Sequence, residues 1–337
     1  MTNRDLVQTL RRHARRFAVA TMLVPLIGVA VQVGAGATVP SAACGDATPY
    51  RWLPKGGNVT ASHLTGAQVT ALGAQKAALD ARNPAAVADM QRAAAASPTR
   101  AEKLQRMSAM SHTPSTTSSL SMDAACGSTG AQRGSLFERF QRLLGTSALA
   151  HDTVTAGTNY AWLDNLNQQG QINGYYCGPA SVSESSYTEG APVSQQTAGS
   201  WMGTNTNGTG TTAETNGMNH FVGMPVYGWN FYGWVSVPYT PSSSDATTFW
   251  NDLEGDIQPA VGSTLVGDAY EVVNGPHLVG HPNQNIFHYF EIGGWATYDS
   301  EVYYADSATT VWSSVPAYSW FDQWTMVVIL GGRGYIW

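Results

Sequence analysis

The stretch QINGYYCGPAS, residues 171–181, sets a cysteine at the expected start of a helix, with a glutamine six positions before it. Gly178 lets another segment approach the backbone closely, Pro179 suits a first helical turn, and Ala180 and Ser181 are small. A helix amino terminus offers unpaired amides and the positive end of the helix dipole, and both favour a thiolate. The Cys177 amide, joined by the side-chain amide of Gln171, would supply donors for an oxyanion. The pattern therefore predicts a nucleophilic Cys177 heading a helix that runs to about residue 187 and stops at Gly190.

A thiol nucleophile needs a base, and the base needs a group to orient it. After His151 the histidines are His220, His277, His281 and His288, and only His288 opens an expected strand, HYFEIGGW (288–295). The next expected strand, EVYYAD (301–306), ends on Asp306. A hairpin turning over 297–300 would bring His288 and Asp306 to the same end, where imidazole and carboxylate can pair. Asp299 falls in the turn and is the poorer candidate. Singly, each residue has a plainer explanation: a surface glutamine, a half-buried histidine, a turn-capping aspartate, a small buried cysteine. Together they make a nucleophilic-cysteine site the stronger reading.

QINGYYCGPAS, followed by SQQTAGSWMGTNTNGTGTTAETN, HYFEIGGW and YYADS, resembles the peptidase family named for bacteriocin-processing, double-glycine leader peptidases, and in particular its free-standing secreted members. The resemblance covers roughly residues 159–337. It implies an α+β, papain-like cysteine peptidase fold, with a helical part carrying the nucleophile packed on an antiparallel sheet. It also implies Cys177 as nucleophile, His288 as general base, Asp306 as its orienter, Gln171 in the oxyanion hole, a peptide or protein substrate, and no cofactor. No transporter domain accompanies these motifs, so a leader-peptide substrate does not follow. Ser307 stands where the family often has proline.

Charge divides the chain. The net charge is −6, yet from residue 151 onward sixteen Asp and Glu face Arg333 alone and no lysine, whereas 44–150 carries eleven Lys and Arg against six acids. Such acidity argues against nucleic acid as a partner. It either keeps the second part soluble or draws the two parts together. Arg11, Arg12, Arg15 and Arg16 precede an apolar run over 17–33 and then small residues, the pattern of a signal peptide over 1–37 cut after Ala37 or Ala43. The expectation is a secreted or cell-envelope-associated bacterial protein without a stable membrane span once the signal is removed. In an oxidising compartment Cys44 and Cys126 can pair, which leaves Cys177 free.

Residues 38–107 read as an alanine-rich helical propeptide or spacer, with Val69, Leu72 and Leu79 at helical spacing, Asn83-Pro84 as a helix start and Ser97-Pro98 as a break. Residues 108–150 read as a Ser/Thr/Gly-rich linker followed by the amphipathic helix SLFERFQRLLG (135–145), and 151–337 as the catalytic domain. Further helices are expected over 195–201, 212–221 and 245–256, and a further strand over WTMVVIL (324–330). Helices before strands is an α+β order.

Three other readings compete. A Cys-His-Asp set also serves acyl-transferases or amidases of the same superfamily, phytochelatin-synthase-like or transglutaminase-like, and the former share the Gln-to-Cys spacing. A metal site from Cys177, His277 and His281 lacks the usual ligand spacing. Trp201, Trp229, Trp234, Trp250, Trp295, Trp312, Trp320 and Trp324 could instead line a non-catalytic, aromatic-rich cell-surface binding module.

Overall fold

The computed structural model describes residues 55–56, 64–110, 154–157 and 159–337. The expected signal peptide, Cys44, Cys126 and nearly all of the expected 108–150 segment lie outside the described residues.

Three helices come first: α1 (Gly66–Asp80), α2 (Pro84–Ala96) and α3 (Arg100–Met110). Thr65 and Gln68 close a capping box on α1. Asn83 caps α2 by accepting from the Ala86 amide, with Pro84 in its first turn. Lys55–Gly56 forms a short strand, β1. Then β2 (Val154–Gly157) and β3 (Tyr160–Leu163) pair antiparallel before α4 (Cys177–Thr188), α5 (Gln195–Met202) and α6 (Thr211–Met218). The last of these continues as a wider helical turn over Asn219–Tyr227. β4 (Trp234–Ser236) and α7 (Ser243–Asp256) lead to the strands β5 (Leu265–Glu271), β6 (Ile286–Ala296), β7 (Glu301–Ala305) and β8 (Tyr318–Asp322). The chain closes with α8 (Gln323–Leu330) and β9 (Gly334–Ile336).

The strands form one sheet in the order β1-β8-β7-β6-β5-β9-β4, antiparallel except where β1 runs parallel to β8. β6 is its spine, pairing with β7 along one side and with β5 and then β3 along the other. The class is thus α+β with an antiparallel sheet. β5 and most of β6 are buried at successive positions, which means both faces are covered. α4 packs on β6 and against α5 and α6. It is buried along nearly its whole length, so its run of alanine and serine reflects close packing more than exposure.

Residues 324–330 form helix, not the expected strand. Asp322 caps α8 by accepting from the Thr325 amide at 2.8 Å. Every residue from Thr325 to Leu330 is buried, and an apolar run covered on all sides has no period with which to tell strand from helix.

The amino-terminal helices dock through buried charges. Lys76 of α1 donates to the carbonyls of Val328 (2.7 Å), Ile329 (3.1 Å) and Gly331 (2.8 Å), capping the carboxy terminus of α8. Asp80 accepts two hydrogen bonds from Arg333, at 2.6 and 2.9 Å. On α3, Lys103 pairs with Asp256 at 2.9 Å and Arg100 pairs with Asp252. The Lys103 ammonium also lies 4.0 Å from the centre of the Phe231 ring and 4.3 Å from that of Trp337.

Candidate active site

Cys177 is the first residue of α4, half-buried and with a free thiol. Its N-cap, Tyr176, makes no side-chain capping bond, so the helix's leading amides are not claimed by a cap. Gly178 is required by close packing: a Cβ there would sit 2.3 Å from Glu214 Oε2 and 2.7 Å from Thr209 Oγ1.

His288 lies on β6 opposite Ala269 of β5, its side chain almost wholly buried. Its Nε2 is 2.9 Å from Asp306 Oδ1, and the Cys177 thiol is near enough to the ring to act on its charge. With Nε2 occupied, Nδ1 is the nitrogen left for sulfur. Burial opposes charge on His288, but the Asp306 carboxylate and the neighbouring thiol outweigh it and raise its pKa well above the usual histidine value. Asp306 sits one residue beyond β7 and caps the short 3₁₀ turn Ser307–Thr310 by accepting from the Ala308 amide at 2.8 Å. Burial pushes its carboxyl up, yet the two histidines bonded to it hold it well below the ordinary carboxylate range.

Gln171 is buried beside this cluster. Its backbone amide donates to the Ser307 carbonyl at 2.8 Å, and its Oε1 accepts from the Ser307 hydroxyl at 3.2 Å. Nε2 donates to the Asn173 carbonyl at 2.7 Å, which uses one of its two protons and leaves the other. Thr310 further ties down the Gln171 carbonyl at 2.6 Å. Ser307 therefore fixes the glutamine amide, something proline at that position could not do. Cys177, His288 and Asp306 come together in space, and Gln171 is joined to the residue that follows Asp306. Asp299 is exposed in the turn over 297–300.

Two residues outside the expected reactive set complete the cluster. His281 Nε2 lies 3.2 Å from Asp306 Oδ2, and its Nδ1 lies 2.9 and 3.1 Å from the two oxygens of Glu271, at the end of β5. The side chains of all three are fully buried. Sequence offered one signal, the cluster of His277, His281 and His288 itself, but loop histidines with no strand to aim them gave no reason to prefer His281. His277 instead bonds the Gly275 and Gln284 carbonyls at 2.9 Å each. His220 stacks on Trp201, with ring centres 4.4 Å apart.

Buried carboxyls surround the site. Glu214 of α6 lies under Cys177 and Gly178 with neither oxygen bonded, and burial raises its pKa well above the usual range. Glu184 of α4 and Glu291 of β6 are raised likewise, burial being the main cause.

His281, His288 and Asp306 are the one group among the described residues whose donor atoms could converge on a cation, all within 4.8 Å. Asp306 already bridges both rings at hydrogen-bond length, so an ion would have to displace both bonds. A groove of about 790 Å³ runs between α1 and the 273–281 loop, reaching His281 but not Cys177. Trp162, Trp234, Trp320 and Trp337 are core residues, whereas Trp201 is half exposed. No helix among the described residues is long and apolar enough to cross a membrane. No family model matches the chain, and no curated protein matches it.

Proposed function

We propose that this chain is an exported cysteine peptidase of papain-like arrangement that hydrolyses peptide bonds with Cys177, His288, Asp306 and Gln171. One observation carries the proposal: a free thiol at an uncapped helix amino terminus neighbours a histidine whose Nε2 is 2.9 Å from a buried aspartate. The export signal read over residues 1–37 suits a protein that works outside the cell.

In the proposed reaction, His288 takes the proton of the Cys177 thiol and the thiolate attacks the substrate carbonyl carbon. The negative charge moves to the carbonyl oxygen, where the Cys177 amide and the remaining Nε2 proton of Gln171 receive it. The C–N bond breaks as His288 gives its proton to the leaving amine. Water, deprotonated by His288, then attacks the thioester, and the carboxylic acid leaves as the thiol is restored. Asp306 keeps Nε2 as the donor throughout and stabilises the imidazolium.

Peptide-library digestion under reducing conditions tests this, with Cys177→Ala as the control. Wild-type cleavage that disappears in the variant, together with loss of labelling by a thiol-directed epoxide, is the expected result. Cleavage and labelling that persist in C177A would overturn the proposal.

A further inference from the structure

His281 Nδ1 faces the Glu271 carboxylate and its Nε2 faces the Asp306 carboxylate, at 2.9 and 3.2 Å. A carboxylate only accepts hydrogen bonds, so two of them on one ring require protons on both nitrogens. We propose that His281 is a positioning residue of the candidate active site, held as an imidazolium between Glu271 and Asp306 so that Asp306 presents one oxygen to His288 and moderates that histidine's basicity. The inference rests on Cys177, His288 and Asp306 forming the reactive set.

The surroundings are built to hold this ring. The Leu278 amide donates to Glu271 at 3.0 Å, the Val279 amide to the Tyr304 hydroxyl at 3.0 Å, and the Ser314 hydroxyl to the Gly280 carbonyl at 2.6 Å. Gly280 has φ 79°, and a Cβ there would meet the Ser314 carbonyl oxygen at 2.1 Å, so the loop before His281 is fixed by a position that only glycine fills. The Trp312 ring, centred 4.9 Å away, packs against the imidazole. The ionisable groups around it come from every neighbouring element. They are Glu271 on β5, His288 on β6, Tyr304 on β7 with Asp306 just beyond it, His277 in the loop 3.9 Å from Glu271, and Lys76 of α1 acting on Glu271. Burial disfavours charge on His281, but its bonds to Asp306 and Glu271 prevail and raise its pKa.

The consequence has a sign. A cation on the far side of Asp306 takes up part of the carboxylate's field, so His288 is less basic than a lone Asp-His pair would make it. Removing that cation should move the titration of His288 upward.

The experiment is iodoacetamide alkylation of Cys177 against pH in the full chain, which reads the thiol and its imidazole partner without requiring turnover. Wild type is compared with His281→Gln and with the double variant Glu271→Gln/His281→Gln, which removes the carboxylate together with its counter-ion and leaves no unpaired buried charge. Both variants should show the imidazole-linked inflection shifted upward by roughly half a pH unit or more. Profiles that overlay wild type would overturn the inference. Should neither variant fold, ¹⁵N-histidine spectra of the wild type at pH 7.5 decide. The His281 ring is expected to carry protons on both nitrogens, and a neutral His281 would overturn it. A chain that shows the shift but cleaves no peptide keeps this role for His281 and loses the peptidase proposal; a chain that cleaves peptides without the shift does the reverse.

Discussion

Asp306 accepts from His288, from His281 and from the Ala308 amide while its own side chain is fully buried. One carboxylate thus aims an imidazole, anchors a second ring and caps a turn. Because Asp306 raises the pKa of His288, the histidine's charge contributes stability that is complete below pH ~6.5 and is lost as pH rises through the higher folded value. The depressed Asp306 carboxyl contributes above pH ~3.9 and loses its contribution as pH falls through its folded value. Asp306→Asn keeps the shape but removes the charge. The expected outcome is a downward shift of the imidazole-linked inflection, opposite to that of the His281 variants, with kcat/KM lowered at least about tenfold. A pH–rate profile of D306N that matches wild type would separate Asp306 from the chemistry. Breaking a buried pair costs about 3–5 kcal/mol, so urea denaturation should detect the same substitution independently.

At the scale of elements, α4 brings the cysteine, β6 the base, and the β7 end the carboxylate, and the close seat of α4 on α6 depends on Gly178. Gly178→Ala would push its methyl into Glu214 and Thr209. We expect a loss of about 1–3 kcal/mol of stability and a drop in alkylation rate at neutral pH, checked by melting and by iodoacetamide kinetics. Unchanged behaviour would mean that α4 shifts freely. The helix starting at Cys177 and the β6–β7 hairpin were legible because local rules set them: glycine and proline after the cysteine, apolar strands about a turn. α8 was not, since TMVVIL is buried on every side and β-branched residues suit strands as well. β5 was missed for a related reason: LVGDAYE carries acids, Asp268 and Glu271, at buried positions, which breaks the expected alternation. His281 was named in sequence but passed over, because its role depends on Glu271, ten residues away and meaningful only once β5 lies beside β6.

At the scale of the whole molecule, buried ion pairs join the amino-terminal helices to the rest, Lys103–Asp256 along the charge division seen in sequence and Asp80–Arg333 against it. Lys103 with Asp256 and Asp80 with Arg333 are nearly or wholly buried. Each such pair, broken by removal of one partner, costs about 3–5 kcal/mol, and the full stability of a domain is about 5–15 kcal/mol. A protein comprising residues 151–337 alone would lose both pairs and the Lys76 cap on α8. The expected outcome is no cooperative melting transition in calorimetry, whereas 38–337 melts cooperatively; a truncated form that melts like the longer one would show the helices to be dispensable. Arg333 carries a last implication. It is the sole lysine or arginine after residue 151, and Asp80 grips it out of solvent. Digestive enzymes that cut after basic side chains would therefore find no purchase on this half of the protein while it stays folded, a form of endurance written into composition and sealed by a single clasp.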